Sequence, residues 1–150
     1  MKFHIDKDVF QDALNQVQHV VSTRTTLPIL SNVLIQADEL GLELSTTDLD
    51  VTITKRVTAK VARPGATTLP ARRLASIVRE LPTNEIDFEV NADNAATVKS
   101  GPSFFKILGL PATEFPVIGE FGEAKEFTID QKLLRDALRK TSYAISTDET

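Results

Sequence analysis

Cysteine is absent from all 150 residues, which removes disulfide frameworks, thiolate zinc centres and cysteine nucleophiles together. No apolar run approaches the roughly eighteen residues of a membrane-spanning helix, so no membrane partner is expected. The opening Met1-Lys-Phe-His-Ile-Asp6 has neither the apolar stretch of a signal peptide nor the Arg/Ser-rich character of a transit sequence, and a cytoplasmic protein is expected. Histidine is scarce. His4 falls in a strand and His19 at a helix end, neither near a metal-ligand pattern, so both read as structural or surface residues and no metal is expected. Phosphate-binding glycine loops of the GxGxxG or Walker type are missing. Gly101-Pro-Ser-Phe104 is a turn into a strand rather than a nucleophile elbow. Asp48 and Asp50 could touch a divalent ion, but two aspartates between strands read first as turn formers. No catalytic residue and no cofactor follow from the chain.

A surplus of positive charge is also lacking: the net charge is −4. That total conceals an asymmetry. Arg72, Arg73 and Arg79 face one acid, Glu80, in one helical segment, and Lys132, Arg135, Arg139 and Lys140 face only Asp136 in another. Acids gather elsewhere, at Asp38, Glu39 and Glu43, at Glu85, Asp87 and Glu89, and at Glu120, Glu123 and Glu126. A negative body with one positive face is one reading, and scattered solvated charge is the other. Aromatic stacking platforms and groove-reading motifs are missing, so a nucleic-acid partner would be held through phosphates, without sequence preference and with strong salt dependence.

What the chain does contain is an echo of itself. Phe3-His-Ile-Asp-Lys-Asp-Val-Phe-Gln-Asp-Ala-Leu14 returns as Phe127-Thr-Ile-Asp-Gln-Lys-Leu-Leu-Arg-Asp-Ala-Leu138, identical at half of the aligned positions. Phe3 and Ile5 alternate like one face of a strand, Asp6 stands where a helix N-cap belongs, and the same holds for Phe127, Ile129 and Asp130. The spacing is that of a whole domain rather than a solenoid repeat. One domain over residues 1–120, a linker at 121–126 and the truncated beginning of a second domain at 127–150 are expected.

Periodicity places a strand at 2–5 and an amphipathic helix at 7–20, then a polar break around Arg24. Leu27–Leu30 is expected to be extended, because a residue before proline avoids the helical region. Strands follow at 31–36, 42–46 and, as one long strand, 48–60. Arg63-Pro-Gly65 turns the chain into a second round: strand 66–69, helix 71–81 opened by Pro70, strands 86–90, 96–99 and 103–108, and a proline-bounded loop at 110–116. Each round is strand, helix and three strands. The expected fold is α+β, two βαβββ units whose helices pack together on one side of antiparallel sheets.

Several segments together carry a family resemblance: Met1-Lys-Phe3, Arg24-Thr-Thr-Leu-Pro-Ile-Leu30, Thr47-Asp-Leu-Asp50, Pro64-Gly-Ala-Thr-Thr-Leu-Pro-Ala-Arg72, Leu110-Pro-Ala-Thr-Glu-Phe-Pro116 and Ser146-Thr-Asp-Glu-Thr150. In order and register they resemble the bacterial DNA polymerase III β subunit, the sliding clamp. The resemblance implies a clamp fold with helices lining the inner face and sheets outside. It implies a non-catalytic processivity factor, in which a head-to-tail homodimer encircles duplex DNA and tethers the polymerase. Residues 1–120 would be clamp domain I, and the polymerase and clamp loader would bind through domains not included here. By motif, Arg24 and Arg72 match DNA-contacting arginines, and Arg73, Arg79, Lys132, Arg135 and Arg139 would join the basic lining. For those five a like-charge run on a solvated face is an equal reading. Ser103–Ile107 would be an edge strand of the ring interface, with Phe104, Phe105 and Ile107 as interface side chains, although alternation should turn one of the two phenylalanines inward. A free-standing α+β interaction module is the alternative, and a hydrolase using Asp48 and Asp50 with a metal is the remote one.

Overall fold

The computed structural model describes residues 1–21, 27–117 and 127–146. By internal contacts the chain falls into two compact units, Met1–Ile118 and Gly119–Thr150. In the first, strand β1 (Lys2–Asp6) leads into helix α1 (Lys7–Val17), and β2 (Asn32–Asp38), β3 (Gly41–Thr47), β4 (Thr52–Val57) and β5 (Lys60–Arg63) follow. The second round is β6 (Gly65–Pro70), helix α2 (Ala71–Arg79), β7 (Glu85–Val90), β8 (Ala95–Ser100) and β9 (Ser103–Leu108).

The strands form two antiparallel sheets, β5-β1-β7-β8-β9 and β4-β3-β2-β6. The opening strand of each round joins the sheet of the other. β1 pairs with β7 in the register Phe3–Phe88 and Ile5–Ile86, and β6 pairs with β2 in the register Leu69–Val33 and Thr67–Ile35. Past β9, Leu110 forms a two-way backbone bridge with Thr68 of β6, at 3.0 and 3.1 Å, which ties the two sheets at that end. Gly109 makes this approach possible, since a Cβ there would lie 2.2 Å from the Thr68 carbonyl oxygen.

Local chemistry explains the helices. Asp6 caps α1 from an extended conformation, its Oδ1 accepting the N–H groups of Asp8 at 2.8 Å and Val9 at 3.3 Å. Phe10, Ala13, Leu14 and Val17 then fall on one face and are buried, the larger of them contributing about 1.5–3 kcal/mol each. On α2 the buried stripe is Ala71, Leu74, Ala75 and Val78. The two helices pack on each other. Lys7 ties the start of α1 to the segment after α2, its Nζ donating to the Leu81 carbonyl and its backbone N–H to that of Asn84, both at 2.7 Å. A three-phenylalanine cluster fixes α1 to the sheet below: Phe3 stacks on Phe88 with centroids 4.6 Å apart, and Phe10 meets both edge-on at 6.1 Å.

Three expectations change. The single strand over 48–60 is two strands. β4 belongs to one sheet and β5 to the other, and the chain crosses between them at Thr58-Ala59, a switch that apolar alternation running through both cannot reveal. Leu27 alone is extended, while Pro28–Ser31 is a 3-10 turn, because proline restricts the residue before it but suits the first position of a helical turn. The helix expected over 7–20 changes to a 3-10 turn at Gln18–Val20. Asp48 is a turn former: its Oδ1 accepts the N–H of Asp50 at 3.0 Å and of Val51 at 2.7 Å. This holds Leu49 at a φ of 84° between them. The expected linker at 121–126 lies outside the described residues.

In the second unit, Asp130 caps helix α3 (Gln131–Thr141) as Asp6 caps α1, accepting the Leu133 N–H at 2.9 Å. None of the residues of α3 is buried.

Phe88 holds the aromatic cluster together, so Phe88→Ala should cost about 3–5 kcal/mol, read as a shift of the urea midpoint followed by circular dichroism. An unchanged midpoint would show that the cluster is not what fastens α1 to the sheet.

Candidate nucleic-acid interface

Each helix of the pair has one face left uncovered. On α1 it carries Asp8, Asp12, Asn15 and Gln16, and on α2 it carries Arg72, Arg73, Ser76 and Arg79. The basic character therefore belongs to α2 alone. Arg79 is partly neutralised by Glu80, Nε to Oε1 at 3.5 Å with both side chains exposed, a contact of little energetic weight. Arg73 forms no ion pair among the described residues. Arg72 also lacks a carboxylate partner there, but its Nη2 donates to the Val21 carbonyl at 3.1 Å. That bond orients the guanidinium beside a cleft of about 350 Å³ lined by Gln18, His19, Arg72 and Ser76. Arg24 lies outside the described residues, three positions along the chain from Val21.

The arginines on the sheets behave differently. Arg56 on β4 bridges Asp38 Oδ2 and Glu43 Oε2, each at 3.0 Å. The Leu40 backbone N–H, together with the Arg56 guanidinium, holds the Asp38 carboxyl below its ordinary 3.8, and the two acids raise Arg56 in return. Glu89 on β7 lies between Lys2 at 3.4 Å and Arg63 at 3.2 Å, and these two cations lower it from its ordinary 4.5. Pairing on the sheets thus consumes both sheet arginines and Lys2. On α2, Arg72 and Arg73 are the arginines without a carboxylate among the described residues, and Lys7 of α1 is spent on the Leu81 carbonyl.

In the second unit Lys132, Arg135 and Arg139 share one face of α3 at helical spacing and are exposed. Leu133, Leu134 and Leu138 occupy the other side and are exposed as well, with Phe127 and Ile129 ahead of them.

The edge strand β9 divides by alternation. Phe104, Lys106 and Leu108 point outward, Phe104 59% and Leu108 74% exposed, while Phe105 is half-buried against the core. Ile107, expected as an interface side chain, is a core residue at 1% exposure, because it pairs opposite Ala96 on the inward face of the sheet. Leu108 is the outward apolar residue that the sequence reading missed, and its two-residue spacing from Lys106 was the available signal. Lys99 on β8 sits 5.8 Å from the Phe104 ring centroid, a cation–π contact on the outer face.

A family model for the N-terminal domain of the DNA polymerase III beta subunit matches residues 1–119. The chain belongs to that family. It is 37% identical over its whole length to the beta sliding clamp of Halalkalibacterium halodurans and 39% identical to that of Caulobacter vibrioides, spanning 42% and 41% of those proteins. Its fold is that of the sliding clamps. The whole chain superposes on the crystal structure of the DNA polymerase sliding clamp from Bacillus subtilis with a TM-score of 0.94 at 32% identity, covering 42% of that chain. With the Caulobacter crescentus clamp the TM-score is 0.92 at 38% identity, covering 41%. The chain therefore spans about two fifths of the curated relatives it matches.

The charge pairs of this clamp domain have a signed pH consequence. Glu89 is depressed in the folded state, so its contribution is present above its ordinary value and is lost as pH falls through the lower folded value. Lys2→Ala should accordingly lower the urea midpoint slightly at pH 7, and the difference from wild type should close as the pH falls through the lowered Glu89 value. A gap of equal size at pH 7 and pH 2 would remove Glu89 as its source.

Proposed function

We propose that this chain forms part of a processivity factor of the bacterial replicative DNA polymerase, a non-catalytic, cytoplasmic subunit of a ring that encircles duplex DNA. Residues 1–120 make up its first clamp domain, 121–126 a connection, and 127–150 the opening of a second domain. The observation that carries this reading is the pairing pattern of the arginines. In a chain of net charge −4 the sheet arginines, Arg56 and Arg63, are matched with carboxylates, while Arg72 and Arg73 on the uncovered helix face have none among the described residues. Such a face offers guanidinium groups to phosphates at modest affinity and without reading bases. A clamp needs that combination, because enclosure provides its retention and tight contacts would only impede sliding.

Arg24, Arg72 and Arg73 are the leading phosphate contacts of this reading. Lys132, Arg135 and Arg139 are the matching basic layer of the second unit, and Arg79 is a weaker contact because Glu80 competes for it. The open edge of β9, with Phe104 outward and Phe105 half-buried beneath it, is the edge to which the second subunit docks head to tail. Polymerase and clamp loader attach through parts of the protein that lie outside these residues.

Short duplexes of unrelated sequence should bind the chain with equal affinity. The double substitution Arg72→Ala/Arg73→Ala should weaken all of them by one common factor and reduce the slope of log K against log salt by about two. Binding that depends on the duplex sequence, or a salt slope that the double variant leaves unchanged, would sink the proposal.

A further inference from the structure

We infer that Gln18, His19, Arg72 and Ser76 form a cradle for one backbone phosphate of the duplex, with Arg72 as its fixed cation. The inference rests on the proposal that the α1–α2 face meets DNA, and assigns that face a particular seat. Arg72 and Ser76 are four residues apart on α2 and share a side of it, and the 3-10 turn Gln18–Val20 after α1 supplies the opposite wall. All four of these side chains can donate hydrogen bonds, and no carboxylate lines the cleft among the described residues.

The guanidinium is set in advance. One of its five N–H groups is spent on the Val21 carbonyl, which fixes the plane of the group, and the others have no partner among the described residues. Gln18 is oriented too, its Nε2 donating to Asn15 Oδ1 at 3.2 Å with a second N–H to spare. The His19 ring and the Ser76 hydroxyl have no partner among the described residues. A fixed fork of donors ringed by further donors, in an otherwise acidic protein, matches a tetrahedral anion. The volume is at the small end of ligand pockets, which begin near about 300 Å³, and among the described residues no Phe, Tyr or Trp lines it to stack a base. The ligand is therefore the phosphodiester and not the nucleobase. Because the cleft lies on the helix face that also carries Arg73, the phosphate it suits is one in a continuous backbone and not that of a free nucleotide.

The test is a titration of the 150-residue chain with a 12-base-pair duplex at low salt, read by nuclear magnetic resonance at the His19 ring, the Ser76 amide and the Arg72 side chain, with inorganic phosphate as the comparison. All three signals should follow one binding curve, and the duplex should act at far lower concentration than inorganic phosphate. His19→Ala and Ser76→Ala should each weaken duplex binding about 3- to 10-fold while the protein stays folded, since both residues are exposed. Arg72→Lys keeps the charge and the salt slope but should lose about 10-fold, because an ammonium cannot reproduce the fork. If Arg73→Ala weakens binding while the His19 and Ser76 variants match wild type, the cradle is wrong and the helix face stands. If inorganic phosphate competes as well as the duplex, the site is a free-anion site and the cradle assignment falls. If the wild-type chain binds no duplex at the lowest salt, cradle and helix face fall together.

Discussion

β1 hydrogen-bonds to β7 and β6 to β2, so the opening strand of each round lies in the sheet built mainly by the other. Neither unit can complete a sheet alone. The helix that follows each opening strand starts from the partner's sheet and must run back toward its own, which brings α1 and α2 side by side over a common core. Phe3, Phe10 and Phe88 show the coupling in three residues, since the first two belong to one unit and the third to the other. A layer of helices with one face in the core and one in water is therefore a consequence of strand exchange. Whatever that outer face carries is displayed on a rigid support.

Electrostatics then sorts the two surfaces. On a sheet, side chains on neighbouring strands stand opposite one another, so a cation finds an acid across the ladder, as Arg56 finds Glu43 and Lys2 finds Glu89. On a short helix the neighbours are three or four residues away in the same chain, and α2 has no acid at those positions relative to Arg72 or Arg73. The sheet arginines are neutralised and the α2 face is left positive. A chain with more acids than bases can thus present a cationic surface without any surplus of cations, because what matters is which cations have partners.

Much of this was legible in the sequence, for definable reasons. Both helix starts were, since Asp6 and Pro70 act on their own neighbours and need no tertiary partner to be recognised. So was the two-round plan, because periodicity survives in every strand of both rounds. The misses are matters of tertiary placement. The crossing at Thr58-Ala59 leaves the alternation of 51–61 undisturbed, so nothing local marks the change of sheet. The inward turn of Ile107 depends on Ala96 opposite it. The cleft joins residues on two helices more than fifty positions apart, and His19 looked like an ordinary helix-end residue until Arg72 was placed beside it.

The repeated segment separates what a sequence encodes from what a fold completes. Phe3, Ile5, Phe10 and Leu14 are buried, while their counterparts Phe127, Ile129, Leu134 and Leu138 are exposed, although both helices carry an aspartate cap and the same apolar spacing. Local chemistry suffices to write an amphipathic helix in both places. Burial needs a sheet, and in the first unit that sheet comes from strands lying far along the chain, β7 above all. The apolar side of α3 has the spacing of a core face, with no sheet packed on it among the described residues. In the first unit it is the strand exchange, and not the helix by itself, that completes burial.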